Sequence, residues 1–125
     1  MLTRITTLSV VAVLSGLLVP AVSAKDGDVL VRGVCSSSST LKLKLSPEDG
    51  RIEVEFEVDQ NRNGVRWTVV LRRATRVVAR GARVTRPPSG SLELRRIVSN
   101  RPGRDRISAR ATSRFGEVCR ATARF

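Results

Sequence analysis

The chain has 125 residues, with 23 Lys and Arg against 11 Asp and Glu, and its formal charge is +12. It contains no His, which excludes Ser–His and Cys–His nucleophilic catalysis and any zinc site that needs a His ligand. Its length fits one domain, because domains cluster at about 100–150 residues.

The first 24 residues have the layout of a secretory signal peptide. Arg4 supplies a basic start, residues 8–19 are mostly apolar, and the small-residue segment 21–24 precedes the expected cut. A membrane span needs about 20 apolar residues, so this run favours a cleaved signal over the alternative of an uncleaved anchor. We predict a signal peptide at 1–24, a secreted, extracellular domain at 25–125, and no transmembrane segment in the mature chain.

The mature chain alternates between apolar and polar residues over short segments separated by turns. Strands are predicted, in chain order, at 29–34, 40–45, 51–58, 65–71, 75–80, 82–86, 91–98, 106–112 and 118–125. Turn residues recur about every 8–14 residues and no long helical stripe appears, which is typical of an all-β sandwich or barrel. We predict a single antiparallel β-sandwich, immunoglobulin-like in general architecture, with about 7–8 strands.

The strongest alternation lies in 51–58, where apolar residues occupy one face and three glutamates the other. Segment 65–71 has a similar apolar face, and the turn 59–64 separates the two. We therefore predict a hairpin between them, in which Phe56 lies opposite Trp67 and both are buried. The exposed face would then carry Glu53, Glu55 and Glu57, with Glu57 opposite Arg66.

The two cysteines, Cys35 and Cys119, lie near the ends of the mature chain. An even count in an exported protein predicts a disulfide, here joining the first and last strands. The alternatives are a reactive thiol pair or half of a metal site.

Two patterns resemble ligand or catalytic sites. Asp59-x-Asn61-x-Asn63-Gly64 matches the first half of a calcium loop, but the position of the expected bidentate acid is Val70, so a hairpin turn is favoured. The glutamate row alternates onto a solvated sheet face, where charge pairing is the ordinary state. We predict no metal, no cofactor and no enzymatic activity, since no base with a recognisable motif stands beside a nucleophile.

The basic residues are concentrated late in the chain. Residues 25–60 carry a net charge of −3, whereas residues 61–125 carry +14. Alternation predicts three sets of arginines that each share a strand face: Arg76 with Arg80; Arg106, Arg110 and Arg114; and Arg120 with Arg124. Neighbouring strands would unite them into a guanidinium-rich face suited to phosphate or carboxylate groups. The alternative is a solvated face whose Arg excess reflects codon usage in a GC-rich genome.

The function expected from these features is electrostatic binding of an anionic polymer, or of an acidic protein. The alternative is a structural or protein-interaction module, inhibitor-like or adhesin-like, with a compositional Arg excess. A contiguous basic surface would favour the first function, and arginines interleaved with acids the second. Specific nucleic-acid recognition is not expected, because exposed aromatic residues for base stacking are scarce.

The signal segment, residues 41–64 and the terminal Gly-Glu-Val-Cys-Arg-Ala-Thr-Ala stretch together resemble small uncharacterised secreted proteins of high-GC Gram-positive bacteria. The resemblance implies an exported β-sandwich-like domain and carries no catalytic residue, cofactor or partner. The order Cys35, Trp67, Cys119 is similar to that of the immunoglobulin superfamily, with a longer interval before the Trp than is usual there.

Overall fold

The computed structural model describes residues 27–125, so the predicted signal peptide lies outside the described residues. Within this range the chain forms strands and no helix, and hence no helix able to cross a membrane. The nine strands are β1 (Val29–Arg32), β2 (Val34–Cys35), β3 (Thr40–Glu48), β4 (Arg51–Asp59), β5 (Arg66–Arg73), β6 (Arg76–Val84), β7 (Ser91–Ser99), β8 (Arg106–Ser113) and β9 (Val118–Arg124).

The strands form two antiparallel sheets that pack face to face. The first sheet has the order β1-β3-β4-β7, and the second has the order β2-β9-β8-β5-β6. Apolar residues from both sheets form one core, in which Leu43, Phe56, Trp67 and Ile107 are completely buried. The predicted all-β antiparallel sandwich is confirmed, with nine strands in the described range rather than seven or eight.

The predicted segments differ from the structure in two places: Gly33 divides the predicted strand 29–34 between the two sheets, and the predicted strands 75–80 and 82–86 form the single strand β6. β1 pairs with β3 in the first sheet, whereas β2 pairs with β9 in the second. A Cβ at Gly33 would lie 2.4 Å from the carbonyl oxygen of Arg120 and 2.6 Å from the Leu41 side chain. Only glycine therefore fits where the chain crosses from one sheet to the other.

The predicted disulfide is confirmed. Cys35 and Cys119 lie directly opposite each other in the β2–β9 pair, with their Cα atoms 4.0 Å apart. Because β2 is the first strand of the second sheet and β9 is the last strand of the chain, the bond closes that sheet at its edge.

The predicted hairpin between 51–58 and 65–71 is wrong. β4 pairs with β3 and β7, whereas β5 pairs with β6 and β8, so the two segments belong to opposite sheets. Phe56 and Trp67 are both buried as predicted, because each sheet turns its apolar face toward the same core. Period-two alternation specifies which face is buried and leaves the pairing partner open.

The hairpin that β4 does form is with β3, and the tight turn Asp49-Gly50 joins the two strands. Both residues have positive φ, 46° and 75°, as an Asp-Gly hairpin turn requires. β3 therefore continues to Glu48, three residues past the predicted strand 40–45. In this register Glu57 lies between Lys42 and Glu93 rather than opposite Arg66.

The segment that resembled a calcium loop instead carries the chain between the sheets. The Asp59 carboxylate accepts a hydrogen bond from the backbone N–H of Asn61 at 3.1 Å. The indole N–H of Trp67 donates to the side-chain oxygen of Gln60 at 3.1 Å. Thr85 Oγ1 accepts from the backbone N–H of Val65 at 2.9 Å, which fastens the far end of the segment. These bonds give the segment a local structural role, although it connects the two sheets and is not the predicted hairpin turn.

Candidate functional site

Charge is divided unequally between the two sheets. The strands of the first sheet contain six Lys or Arg and six Asp or Glu. Those of the second sheet contain ten Arg and no acidic residue at all. The second sheet is therefore the basic side of the molecule.

Most of these arginines share the outer face of the second sheet. Along β8, for example, Ile107, Ala109 and Ala111 are buried while Arg106 and Arg110 are exposed. Following the register across β9, β8, β5 and β6 gives eight arginines on this side, which we call the arginine face: Arg66, Arg72, Arg80, Arg106, Arg110, Arg114, Arg120 and Arg124.

Several members of the arginine face lie directly opposite one another. In the β8–β9 pair, Arg106 faces Arg124 and Arg110 faces Arg120. Residues opposite each other in antiparallel strands have Cβ atoms about 4.5–5.5 Å apart. Each pair therefore places two positively charged side chains next to each other, and all four residues are exposed.

Hydroxyl groups separate these two arginine pairs, because Ser108 lies opposite Thr122 in the intervening row. A third opposed pair follows at the end of β8, where the backbone N–H of Arg114 donates to the carbonyl of Arg66 at 2.9 Å. By contrast, Arg80 lies opposite Val70.

Within residues 27–125, none of the eight arginines forms an ion pair. The acidic residues directly before β8 and β9, Asp105 and Glu117, have other partners. The Glu117 carboxylate accepts hydrogen bonds from the backbone N–H groups of Ser37 and Ser39, at 3.0 and 3.1 Å. Asp105 is buried against Arg73. The positive charge of the face is therefore not neutralised by the described residues.

Arg73 and Asp105 form a buried ion pair at one end of the sandwich. The two side chains are 8% and 4% exposed, and Arg73 Nε lies 3.1 Å from Asp105 Oδ1. Arg73 also donates to Ser99 Oγ at 3.0 Å, while Asp105 Oδ2 accepts from the backbone N–H of Arg101 at 3.0 Å. This arginine is structural and does not belong to the arginine face.

The structure brings together six of the seven predicted arginines: Arg80, Arg106, Arg110, Arg114, Arg120 and Arg124. Arg76 does not join them. A bulge in β6 shifts the register between Leu71 and Arg72, so that Arg76 pairs with Arg73 and no longer shares a face with Arg80. The alternation rule alone gives no warning of such a bulge.

Sequence reasoning missed Arg66 and Arg72. The alternation of 65–71, continued to residue 72, places both side chains on the face opposite the core, and this pattern could have identified them. The incorrect hairpin prediction placed them beside the strand 51–58, with Arg66 opposite Glu57. In the structure the cation that pairs with this row is Arg95 of β7, whose guanidinium contacts Glu53, Glu55 and Glu93.

The first sheet thus has the charge-paired outer face that was expected for the glutamate row. Lys44 lies 3.5 Å from Asp28 and 3.6 Å from Glu55, and these carboxylates raise the pKa of its ammonium group. Glu53 and Glu55 likewise raise the pKa of Arg95. Lys44 and Arg95 on this side therefore have acidic partners, in contrast to the cations of the arginine face.

An exposed aromatic residue borders the arginine face. Phe115, in the turn between β8 and β9, is 61% exposed. The guanidinium carbons of Arg62 and Arg114 lie 5.0 and 5.2 Å from its ring centroid, within cation–π range. Sequence reasoning had not assigned this residue a role.

One cluster of metal-ligand residue types occurs within the described range, namely Cys35, Glu117 and Cys119. Both sulfurs are joined in the disulfide, and Glu117 accepts the backbone hydrogen bonds of the serine loop. The cluster is therefore accounted for by structural bonds.

No family model, no curated protein and no solved structure matches this chain. The candidate site accordingly rests on the geometry and charge of the arginine face.

Proposed function

We propose that the mature chain is an exported, non-enzymatic module that binds anionic polymers of the cell envelope or its surroundings. The observation that carries the proposal is the arginine face, whose eight arginines form no ion pair with any residue of 27–125. A compositional Arg excess would distribute arginines over both sheets and among acids. The segregation of acids to the first sheet supports binding over that alternative.

The physical basis of binding is a field of one sign over a continuous surface. Such a field attracts polyanions and increases their rate of capture. Each guanidinium presents several donors in a planar fork, which matches phosphate and carboxylate oxygens in pairs. Neutralising charges on the polymer also releases its counterions, so the affinity depends strongly on salt.

The test is a salt titration of binding to a teichoic-type polymer, a heparin-like polyanion and DNA. We expect log affinity to fall about linearly with log salt concentration. The double variant Arg106→Ser/Arg110→Ser should lower both the affinity and the slope, with the melting temperature nearly unchanged because both side chains are exposed.

A charge-matched control comes from the first sheet. Lys42→Ser/Arg51→Ser removes the same two charges from exposed positions on the opposite side of the sandwich. This variant should bind almost as the unmodified protein does. No binding to any of the three polymers at low salt would overturn the proposal.

Phe115 supports a second candidate function, a protein-interaction module. Large exposed aromatic residues flanked by arginines are frequent anchors in protein interfaces. A partner recovered from envelope fractions at both low and high salt, and lost with Phe115→Ser, would favour this function over polyanion binding.

A further inference from the structure

We propose that β8 and β9 bind a linear chain of phosphate groups through two arginine clamps. One clamp is formed by Arg110 and Arg120, and the other by Arg106 and Arg124. The inference rests on the proposed function and deepens it, because it names the class of polymer and the part of the arginine face that holds it.

The opposed arginines of the clamps carry an energetic cost. Like charges directly opposite each other in a sheet destabilise it. The core fixes this register, since a slip by one residue would turn the arginines inward and the apolar residues Ile107 and Ala109 outward. Relief can come from an anion held between the two guanidinium groups of a pair, because the described residues supply none.

The geometry of an opposed arginine pair selects among anions. A carboxylate has two oxygens in one plane, and a single arginine can engage both. The oxygens of a phosphate group diverge tetrahedrally, so one phosphate can accept hydrogen bonds from two opposed guanidinium groups. An opposed pair of arginines therefore fits phosphate better than carboxylate.

The spacing of the two clamps favours a polymer over a small anion. On each strand the two arginines are four residues apart, which corresponds to about 13 Å. The hydroxyl groups of Ser108 and Thr122 lie between the clamps and can donate further hydrogen bonds. A small phosphate can occupy one clamp only, whereas a chain can occupy both and gain from the high effective concentration of its second site.

The test compares two double variants of equal charge on the arginine face. Arg110→Thr/Arg120→Thr removes one clamp, whereas Arg72→Thr/Arg80→Thr removes two arginines that face no other arginine. Threonine is used because it suits a strand. Calorimetric titration with long-chain inorganic polyphosphate should show a loss of affinity for the clamp variant at least about tenfold greater than for the control, since avidity between the clamps is lost.

Two further probes define the class of ligand. Pyrophosphate should bind the unmodified protein far more weakly than long-chain polyphosphate does. Polyglutamate of similar length and charge should also bind more weakly than polyphosphate. Equal affinity for polyglutamate would overturn the assignment of phosphate.

A measurement without ligand tests the repulsion directly. At low salt, Arg120→Thr should raise the melting temperature relative to the unmodified protein, and the gain should vanish at high salt as the charges are screened. Arg80→Thr should produce no such salt-dependent gain. Equal behaviour of the two single variants would overturn the argument from opposed charges.

The outcomes also separate this inference from the proposed function. Equal losses of polyphosphate affinity in the two double variants would show a diffuse field, which overturns the clamps and leaves polyanion binding standing. Failure of the unmodified protein to bind any polyanion would overturn both.

Discussion

At the scale of single residues, the sandwich depends on a few large or charged side chains in its interior. Trp67 heads the largest completely buried side chains, and its indole N–H is satisfied by Gln60. Arg73 and Asp105 are nearly as inaccessible, and each is the counterion of the other. Loss of either kind of contact leaves a cavity or an uncompensated charge in the interior.

Trp67→Ala should reduce the free energy of unfolding by about 3–5 kcal/mol, as large-to-small changes in a core do. Chemical denaturation measures it. Gln60→Ala is the control, because it removes only the hydrogen bond and should cost about 1 kcal/mol. A cost for Trp67→Ala as small as that of the control would contradict the central position of the indole ring.

Asp105→Ala should cost about 3–5 kcal/mol, because it leaves the Arg73 guanidinium buried without its counterion. The double variant Arg73→Met/Asp105→Ala should be less destabilised than Asp105→Ala alone, since the buried charge is gone. Thermal and chemical denaturation of both proteins give the comparison. Equal or greater destabilisation of the double variant would show that the pair does not act through charge compensation.

At the scale of elements, the order of strands depends on crossings that the strands themselves do not encode. Gly33 permits the first crossing, and residues 60–65 make another. The two-residue strand β2 has little pairing of its own, and the disulfide to β9 holds it in the second sheet. The bond therefore also maintains the edge of the sheet next to Arg120, which lies opposite Val34.

Cys35→Ser/Cys119→Ser should destabilise the domain by about 4–5 kcal/mol, on the chain-entropy account of a long closed loop. The two residues are separated by 84 positions. A loss of this size is comparable to the whole stability of a small domain, so partial unfolding at ambient temperature is expected. Denaturation of the oxidised, reduced and double-serine proteins measures it, and equal stability of all three would refute the prediction.

At the scale of the whole molecule, the sandwich separates charge that the sequence only partly separates. The acid-rich segment 25–60 supplies β3 and β4, but β7 comes from the Arg-rich segment and still joins the first sheet. There Arg95 pairs with glutamates, which leaves the second sheet with arginines alone. The two outer faces consequently offer very different surfaces to a partner.

We expect cleavage of the signal peptide to leave a mature chain that begins at Lys25, because the small-residue site ends at Ala24. N-terminal sequencing of protein recovered from the culture medium decides this. The contrary result is an intact Met1 in the membrane fraction, which would indicate the uncleaved anchor.

Patterns along the chain were enough to predict the core-facing positions of the main strands, the all-β class and the pairing of the two cysteines. Alternation is a local property of a strand, so Phe56 and Trp67 could be assigned to the interior without knowledge of their neighbours. Most arginines of the arginine face followed from the same rule. The disulfide followed from the cysteine count in a chain predicted to be exported.

The identity of neighbouring strands, by contrast, emerged from the three-dimensional arrangement. That arrangement separated β4 from β5, joined Arg66 and Arg72 to the arginine face, and removed Arg76 through a bulge. It also placed Arg110 opposite Arg120, residues that are ten positions apart with a turn between them. Strand pairing depends on crossings, bulges and long-range contacts, which the residue pattern of a single strand does not reveal. A core shared by two sheets also buries the apolar face of a strand equally well in either sheet.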